Sequence, residues 1–159
     1  MKNDQYYLKR TIQLAREHAS DGKHGPFAAL VVDSNGDVIA EGWNSVVADH
    51  DPTAHAEVNA IRKACRNLKT HNLAGCILYT SCEPCPMCFG AILWARLARV
   101  VYAASRDDAV LGGFDDRAFW NIISSDIHAC SYPEVQHVAM PEARNLFLEW
   151  AANASRQMY

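Results

Sequence analysis

The segments His55-Ala56-Glu57 and Pro84-Cys85-Pro86-Met87-Cys88 decide how this chain folds, because each is predicted to stand where a helix begins. The first follows a loop over residues 49–52. The second contains two prolines, which a helix tolerates in its first turn and hardly beyond it. Cys85 and Cys88 are three residues apart, so on a helix they lie on one face, one turn apart. The two segments therefore predict two helices whose first turns carry an imidazole and two thiols.

Buried strands and amphipathic helices are predicted to alternate around these segments. The apolar run over 27–32 is typical of a buried strand, and Asn35-Gly36 is a strong signal for a hairpin that returns to a second strand. Strands are predicted over 27–32, 38–43, 76–80, 99–103 and 134–138, helices over 4–20, 54–68, from the prolines to about 96, 117–124 and 141–152, and a loop over 107–116. This alternation predicts an α/β fold of three layers, α/β/α, around a central mixed sheet of five strands.

Length and composition predict one domain over residues 1–159, since 159 residues, 50% hydrophobic and 21% charged, suit a single core. The longest apolar stretches fall far short of the ~20 residues that span a bilayer. The N-terminal residues lack the apolar core of a signal peptide, so we expect a cytoplasmic protein without membrane contact. The net charge of −3 and the scattered basic residues argue against a nucleic-acid partner.

Three of the six cysteines, Cys82, Cys85 and Cys88, recur every third residue, which indicates a metal site and not a disulfide framework. His55, Cys85 and Cys88 are predicted to bind zinc, because three protein ligands leave a position open for water. A closed structural site would need a fourth Cys or His at short spacing. Cys82 and Cys85 also have a suitable spacing. The pair Cys85 and Cys88 is preferred because it shares a helical turn, whereas Cys82 is expected at a strand end.

Glu57 is the predicted proton carrier. It lies two residues after His55, close enough to face the same water without being needed as a ligand. A zinc ion lowers the pKa of that water to roughly 7, and a positioned carboxylate can then carry the proton. A His-x-Glu segment followed by Pro-Cys-x-x-Cys is the signature of zinc deaminases that act on nucleobases.

Several blocks together resemble the bacterial guanine deaminases of the cytidine-deaminase-like superfamily. The blocks are Gly25-Pro26-Phe27 and residues 51–58, 60–65, 80–88 and 113–116, and the chain end at Tyr159 matches as well. The resemblance spans most of the chain, apart from residues 121–158. It implies a cytidine-deaminase-like fold and the zinc-dependent hydrolysis of a small free purine base, from guanine to xanthine and ammonia.

The resemblance also implies which residues contact the purine. Asn44 and the backbone around Ala56 would hold its polar edge, while Phe27 and Trp94 would contact its rings. Without the resemblance, Phe27 would be assigned to the hydrophobic core just as readily.

Two further roles follow from the resemblance. Asp115 or Asp116 would manage the departing amine, with Asp116 the better match for the catalytic role and Asp115 beside the substrate. Tyr159 would close over the substrate, on a C-terminal segment exchanged between the two subunits of a homodimer.

Other functions share these motifs. Guanosine and amino-triazines would enter a guanine pocket with slightly more room. The tRNA adenosine deaminases have the same ligands and proton carrier, but phosphate contacts supply most nucleic-acid affinity and this chain has no basic stripe. A zinc-containing binding protein without activity is the alternative from another class, and the intact Glu57 argues against it.

Overall fold

The computed structural model describes residues 3–130 and 132–158. The strands are β1 (Ala28–Val32), β2 (Val38–Trp43), β3 (Ile77–Cys82) and β4 (Arg99–Ala104). The helices are α1 (Asp4–Ala19), α2 (Val46–Asp49), α3 (Ala56–Leu68), α4 (Pro86–Trp94), α5 (Arg106–Leu111), α6 (Arg117–Ser124) and α7 (Pro141–Ala152), and a short 3₁₀ turn spans Ile127–Ala129. The strand order is β2-β1-β3-β4, with β1 antiparallel to both neighbours and β3 parallel to β4. The predicted α/β fold is confirmed.

The sheet is buried on both faces along β1, whose five residues are all inaccessible. Successive strand residues point to opposite faces. Ala29 and Val31 pack with α3 on one face, and Leu30 and Val32 pack with α1 on the other. Two buried faces explain why the segment is apolar without alternation.

Both segments that opened the sequence analysis lie at one edge of this sheet. Because β2 and β3 are each antiparallel to β1, they run in the same direction and leave the sheet at the same edge. The chain then enters α3 after β2, with α2 in the connecting loop, and α4 after β3. The N-termini of α3 and α4 therefore lie close together, at the carboxyl ends of the strands, where α/β sheets place ligands.

The predicted fifth strand is wrong, and the described residues contain a sheet of four strands. Residue 134 lies in a turn, and residues 135–138 have no regular structure. Val138 is 64% exposed, so this segment has no continuous apolar face to bury against the sheet.

The predicted loop over 107–116 is also wrong in its first half, which forms α5. A capping box starts this helix: the Ser105 hydroxyl accepts from the Asp108 backbone N–H, and the Asp108 carboxylate accepts from the Ser105 backbone N–H at 2.8 Å. The start of α3 differs as well. The helix predicted from residue 54 begins at Ala56, with His55 in the cap position.

The C-terminal helix α7 carries a large exposed apolar surface. Phe147 is 76% and Trp150 is 45% exposed, and Leu146 and Leu148 are exposed beside them. Within the described part of the chain, no helix combines the length and the apolar character needed to cross a membrane.

Gly42 allows β2 to approach α3 closely. A Cβ atom at this position would lie 2.4 Å from the backbone N of Ala60 and 2.5 Å from the carbonyl O of Ala56. Both are backbone atoms of α3, so neither can rotate away. Glycine at this position therefore sets the distance between β2 and the helix that carries Glu57.

Replacing Gly42 by alanine should lower the free energy of unfolding by about 1–3 kcal/mol, the usual cost of overpacking. Gly90→Ala is the matched control, because a Cβ atom at Gly90 in α4 meets nothing within 4 Å and alanine favours a helix over glycine. Urea unfolding of both variants measures the difference. A Gly42→Ala protein as stable as the wild type would contradict the close packing.

Candidate active site

His55, Cys85 and Cys88 converge where α3 and α4 begin. His55 directly precedes α3, Cys85 directly precedes α4, and Cys88 lies in the first turn of α4. The Nδ1 atom of His55 lies 3.5 Å from the Sγ atoms of both cysteines, and the three donor atoms lie within 4.8 Å of one another. Helix N-termini favour anions, so the fold stabilises thiolates at this point.

The three groups shift one another's pKa because they lie so close together. A hydrogen bond from Cys88 and the neighbouring His55 lower the pKa of Cys85 to about 4. The pKa of Cys88 is raised by its interaction with the Cys85 sulfur and by burial. The pKa of His55 is raised by its hydrogen bond with Cys85. An imidazole and two cysteine sulfurs are donors that zinc prefers, and a bound zinc ion keeps coordinating thiols ionised. The donor set fits zinc.

Cys82 lies outside this cluster. It is the last residue of β3, and its thiol donates to the carbonyl oxygen of Ser105 across 3.6 Å. Burial raises the pKa of Cys82 to about 11, which keeps the thiol protonated at neutral pH. In the structure, Cys82 therefore lies apart from Cys85 and Cys88. The sequence had favoured Cys85 and Cys88 as the ligands because they share a helical turn.

Glu57 lies beside the cluster and is 5% exposed. Its Oε1 atom accepts a hydrogen bond from the Thr80 hydroxyl at 3.0 Å, and its Oε2 atom accepts from the Cys88 thiol at 3.4 Å. Burial raises the pKa of this carboxyl group. A carboxylate with a raised pKa can both accept and return a proton near neutral pH.

Asn44 has its amide oriented by the backbone around it. Its Oδ1 atom accepts from the backbone N–H of Gly25 at 3.2 Å and of Val46 at 3.4 Å. This pattern assigns the oxygen and leaves the Nδ2 group, which has no acceptor among the described residues, able to donate to a ligand. Asn44 is 8% exposed, so such a donor would be well shielded from water.

A cavity of about 800 Å³ connects these groups and lies within the size range of small-molecule sites. Its lining includes His55, Glu57, Asn44, Phe27 and Ala56. The Phe27 ring meets the Phe114 ring edge-on, with centroids 4.8 Å apart. Ala56 begins α3, so its backbone N–H has no partner within the helix.

Asp115 and Asp116 both line the cavity, but their environments differ. Asp115 pairs with the Arg117 guanidinium, whose Nε atom donates to it at 2.8 Å, and this pairing lowers the pKa of Asp115 to about 2. Burial and the neighbouring Cys85 raise the pKa of Asp116. Asp115 is therefore committed to an ion pair, whereas Asp116 is the carboxylate that faces the cysteine cluster.

Two further residues, Trp94 and Tyr159, were predicted to contact the substrate. Trp94, predicted to contact the purine rings, is the last residue of α4, is 66% exposed and does not line the cavity of its own chain. It lies six positions after Cys88, which places it about 9 Å further along the helix axis. Tyr159, predicted to close over the substrate, lies outside the described residues.

The structure adds residues that the sequence patterns did not single out. Arg106 lines the cavity and forms an ion pair with Glu83, in which Arg106 Nε donates to Oε1 at 3.0 Å. The guanidinium also lies over the Trp120 ring, 4.9 Å from its centroid. In the sequence, the only sign of a role for Glu83 is its position between Cys82 and Cys85. Its ion-pair partner, Arg106, is brought to it by the fold.

Comparison with known proteins places this site in a family. The model of the cytidine and deoxycytidylate deaminase zinc-binding region matches residues 1–104. The guanine deaminase of Bacillus subtilis is 47% identical over 157 residues, which are 99% of each chain. Its crystal structure superimposes with a TM-score of 0.94 at 46% identity, again over 99% of each chain. A guanine deaminase structure from Nitrosomonas europaea has a TM-score of 0.68 at 37% identity, over 74% of this chain and 67% of that one.

A more distant relative is the tRNA-specific adenosine deaminase of Haemophilus influenzae, 39% identical over 64% of this chain and 58% of its own length. These matches, with the His/Cys/Cys cluster, define a zinc-dependent hydrolase of the cytidine deaminase superfamily. Within that class, the chain belongs to the family of the Bacillus subtilis guanine deaminase, as the resemblance predicted.

Proposed function

We propose that this enzyme hydrolyses guanine to xanthine and ammonia. The observation that carries the proposal is the meeting, in one cavity, of a His/Cys/Cys cluster, the buried carboxylate of Glu57 and the oriented amide of Asn44. The near full-length identity to a guanine deaminase supports guanine as the base. In this proposal His55, Cys85 and Cys88 hold the zinc ion.

When bound, zinc would lower the pKa of a water molecule and so supply a nucleophile at neutral pH. Glu57 accepts one proton of the attacking water and delivers it to a ring nitrogen, and it then carries the second proton, from the hydroxyl group newly formed on the ring carbon, to the amine, which leaves as ammonia. Thr80 keeps the Glu57 carboxylate in place through its 3.0 Å hydrogen bond. The raised pKa of Glu57 suits a group that must both take and give a proton.

The remaining residues orient the purine. The Asn44 Nδ2 group donates to an acceptor on the purine edge, and the Ala56 N–H at the start of α3 donates to a second one. Phe27 contacts the ring face. Asp116, and not Asp115, assists the departing amine, because Arg117 occupies the Asp115 carboxylate.

We further propose a cytoplasmic homodimer with no nucleic-acid partner. The support is the row of exposed apolar side chains on α7, since a contiguous apolar patch on a surface marks an interaction site. In this proposal α7 and the residues after it are exchanged between subunits and bring Tyr159 to the site. The Trp94 contact then needs a second subunit, since Trp94 does not reach the cavity of its own chain. The net charge of −3 disfavours a polyanionic partner.

Ammonia release from zinc-loaded enzyme tests the function. We expect guanine to have the highest kcat/KM in a set that includes guanosine, adenine, cytosine, cytidine and an amino-triazine. A higher value for guanosine would contradict the free-base proposal and leave the deaminase class intact. Zinc retention without release of ammonia from any of them would favour an inactive binding protein.

A further inference from the structure

Trp120 has a buried polar group beside Asp116. It lies in the first turn of α6, four residues after the cap residue Asp116, and its backbone N–H donates to the Asp116 carbonyl at 3.2 Å. The indole Nε1–H is buried and makes no hydrogen bond of standard geometry with any described residue. A buried N–H costs free energy until an acceptor satisfies it.

The Trp120 ring is held in place by two other elements. The Arg106 guanidinium of α5 lies 4.9 Å from the ring centroid, a cation–π distance, and the Phe89 ring of α4 lies at 6.3 Å. Arg106 is fixed in turn, because its backbone N–H donates to Glu83 at 3.1 Å in addition to the guanidinium pair. Glu83 stands two residues before Cys85. The ring thus connects α6 to the loop that carries the cysteine cluster.

We propose that Trp120 is a positioning residue: its indole N–H holds the Asp116 carboxylate toward the amine that leaves, and Arg106 fixes the indole ring. The inference rests on the proposed function and on the role given there to Asp116. The indole N–H also lowers the pKa of Asp116, which burial and Cys85 raise. The hydrogen bond between the indole N–H and the Asp116 carboxylate falls short of standard geometry. Catalytic hydrogen bonds are often long or poorly aligned before substrate binds.

Trp120→Phe tests the proposal, because phenylalanine keeps a ring for Arg106 and removes only the donor and part of the ring. We expect kcat to fall about 10-fold while KM changes less than about twofold, with zinc content and melting temperature near the wild-type values. In an Asp116→Asn background the same substitution should have almost no further effect, since residues that act through one another are not additive. Trp43→Phe is the control, because its side chain stacks on His18 and does not line the cavity.

An NMR measurement provides a readout that does not depend on turnover. The Trp120 Nε1–H resonance, assigned by its absence in Trp120→Phe, should move when Asp116 is replaced by asparagine. An unmoved resonance, or an equal loss of kcat in both backgrounds, would overturn the proposal.

Arg106→Lys is the second variant, used if Trp120→Phe does not fold. It removes the planar guanidinium that lies over the Trp120 ring. Arg106→Lys should lower kcat severalfold in the wild-type background and hardly at all in the Asp116→Asn background. An equal loss of kcat in both backgrounds would overturn the proposal. Turnover is measured on whichever base the wild type deaminates fastest, so an error about guanine does not alter the result. A wild type without activity would reject the proposed function and this inference, whereas a guanosine preference would reject only the choice of base.

Discussion

Replacing Glu57 by glutamine should slow deamination by about 10²-fold or more, while the protein keeps its zinc and binds guanine. Glutamine has the size of glutamate and can still interact with Thr80, but it cannot accept the proton of the attacking water. Glu57 is not one of the three clustered metal donors, so the metal site should be intact. Ammonia release under saturating guanine measures the rate, and elemental analysis measures the zinc.

Glu41→Gln makes the same chemical change away from the site and serves as its control. Glu41 lies on β2, accepts from the Nε atom of Arg10 on α1 at 2.9 Å, and does not line the cavity. Its loss should leave turnover near the wild-type value. Near wild-type turnover in Glu57→Gln would remove Glu57 from the mechanism.

Cys88→Ala should abolish both zinc binding and activity. Cys88 is fully buried, its sulfur lies 3.5 Å from His55 Nδ1, and the only other cysteine of this cluster among the described residues is Cys85. The remaining imidazole and thiol are too few protein ligands for a zinc site of this kind. Elemental analysis of protein purified without chelator gives the zinc content, and ammonia release gives the activity.

Cys82→Ala is the matched substitution. Cys82 is also buried, but its thiol is directed to Ser105, so its loss should cost about 1 kcal/mol of stability and leave the zinc in place. Comparing the two alanine variants separates loss of a ligand from loss of a buried sulfur. Metal-free Cys82→Ala protein, or zinc-loaded and active Cys88→Ala protein, would refute the ligand assignment.

Local patterns predicted most of the fold. The apolar run over 27–32, the Asn35-Gly36 turn and the proline-marked start of α4 each depend on near neighbours in sequence, and the strands and helices that they predict are present. The prediction was wrong where the local signal was weak. The segment 134–138 offers only two valines, three residues apart, as a strand signal, and α5 depends on a capping box in a segment rich in Asp and Gly.

The candidate site, too, was predictable where the signal is local in sequence and not where it depends on distant residues. The spacing of His55, Glu57, Cys85 and Cys88 identified the chemistry, because each pair lies within one turn at the start of a helix. The preference for Asp116 over Asp115 came from the family resemblance, because the pattern of the residues themselves does not distinguish two neighbouring aspartates. The neighbours that distinguish them are Arg117, two residues from Asp115, and the Cys85 loop, 31 residues before Asp116 along the chain.

The sequence by itself determined the set of reactive groups and the elements that carry them, since helix starts, turns and buried strands are fixed by residues close together in the chain. Only the tertiary structure decided which of those groups meet. The parallel course of β2 and β3 brings His55 to the cysteines, and it is the packing of α5 and α6 on that edge that joins Glu83, Arg106 and Trp120. Such contacts depend on the burial of apolar surface across distant segments, which no short stretch of sequence specifies.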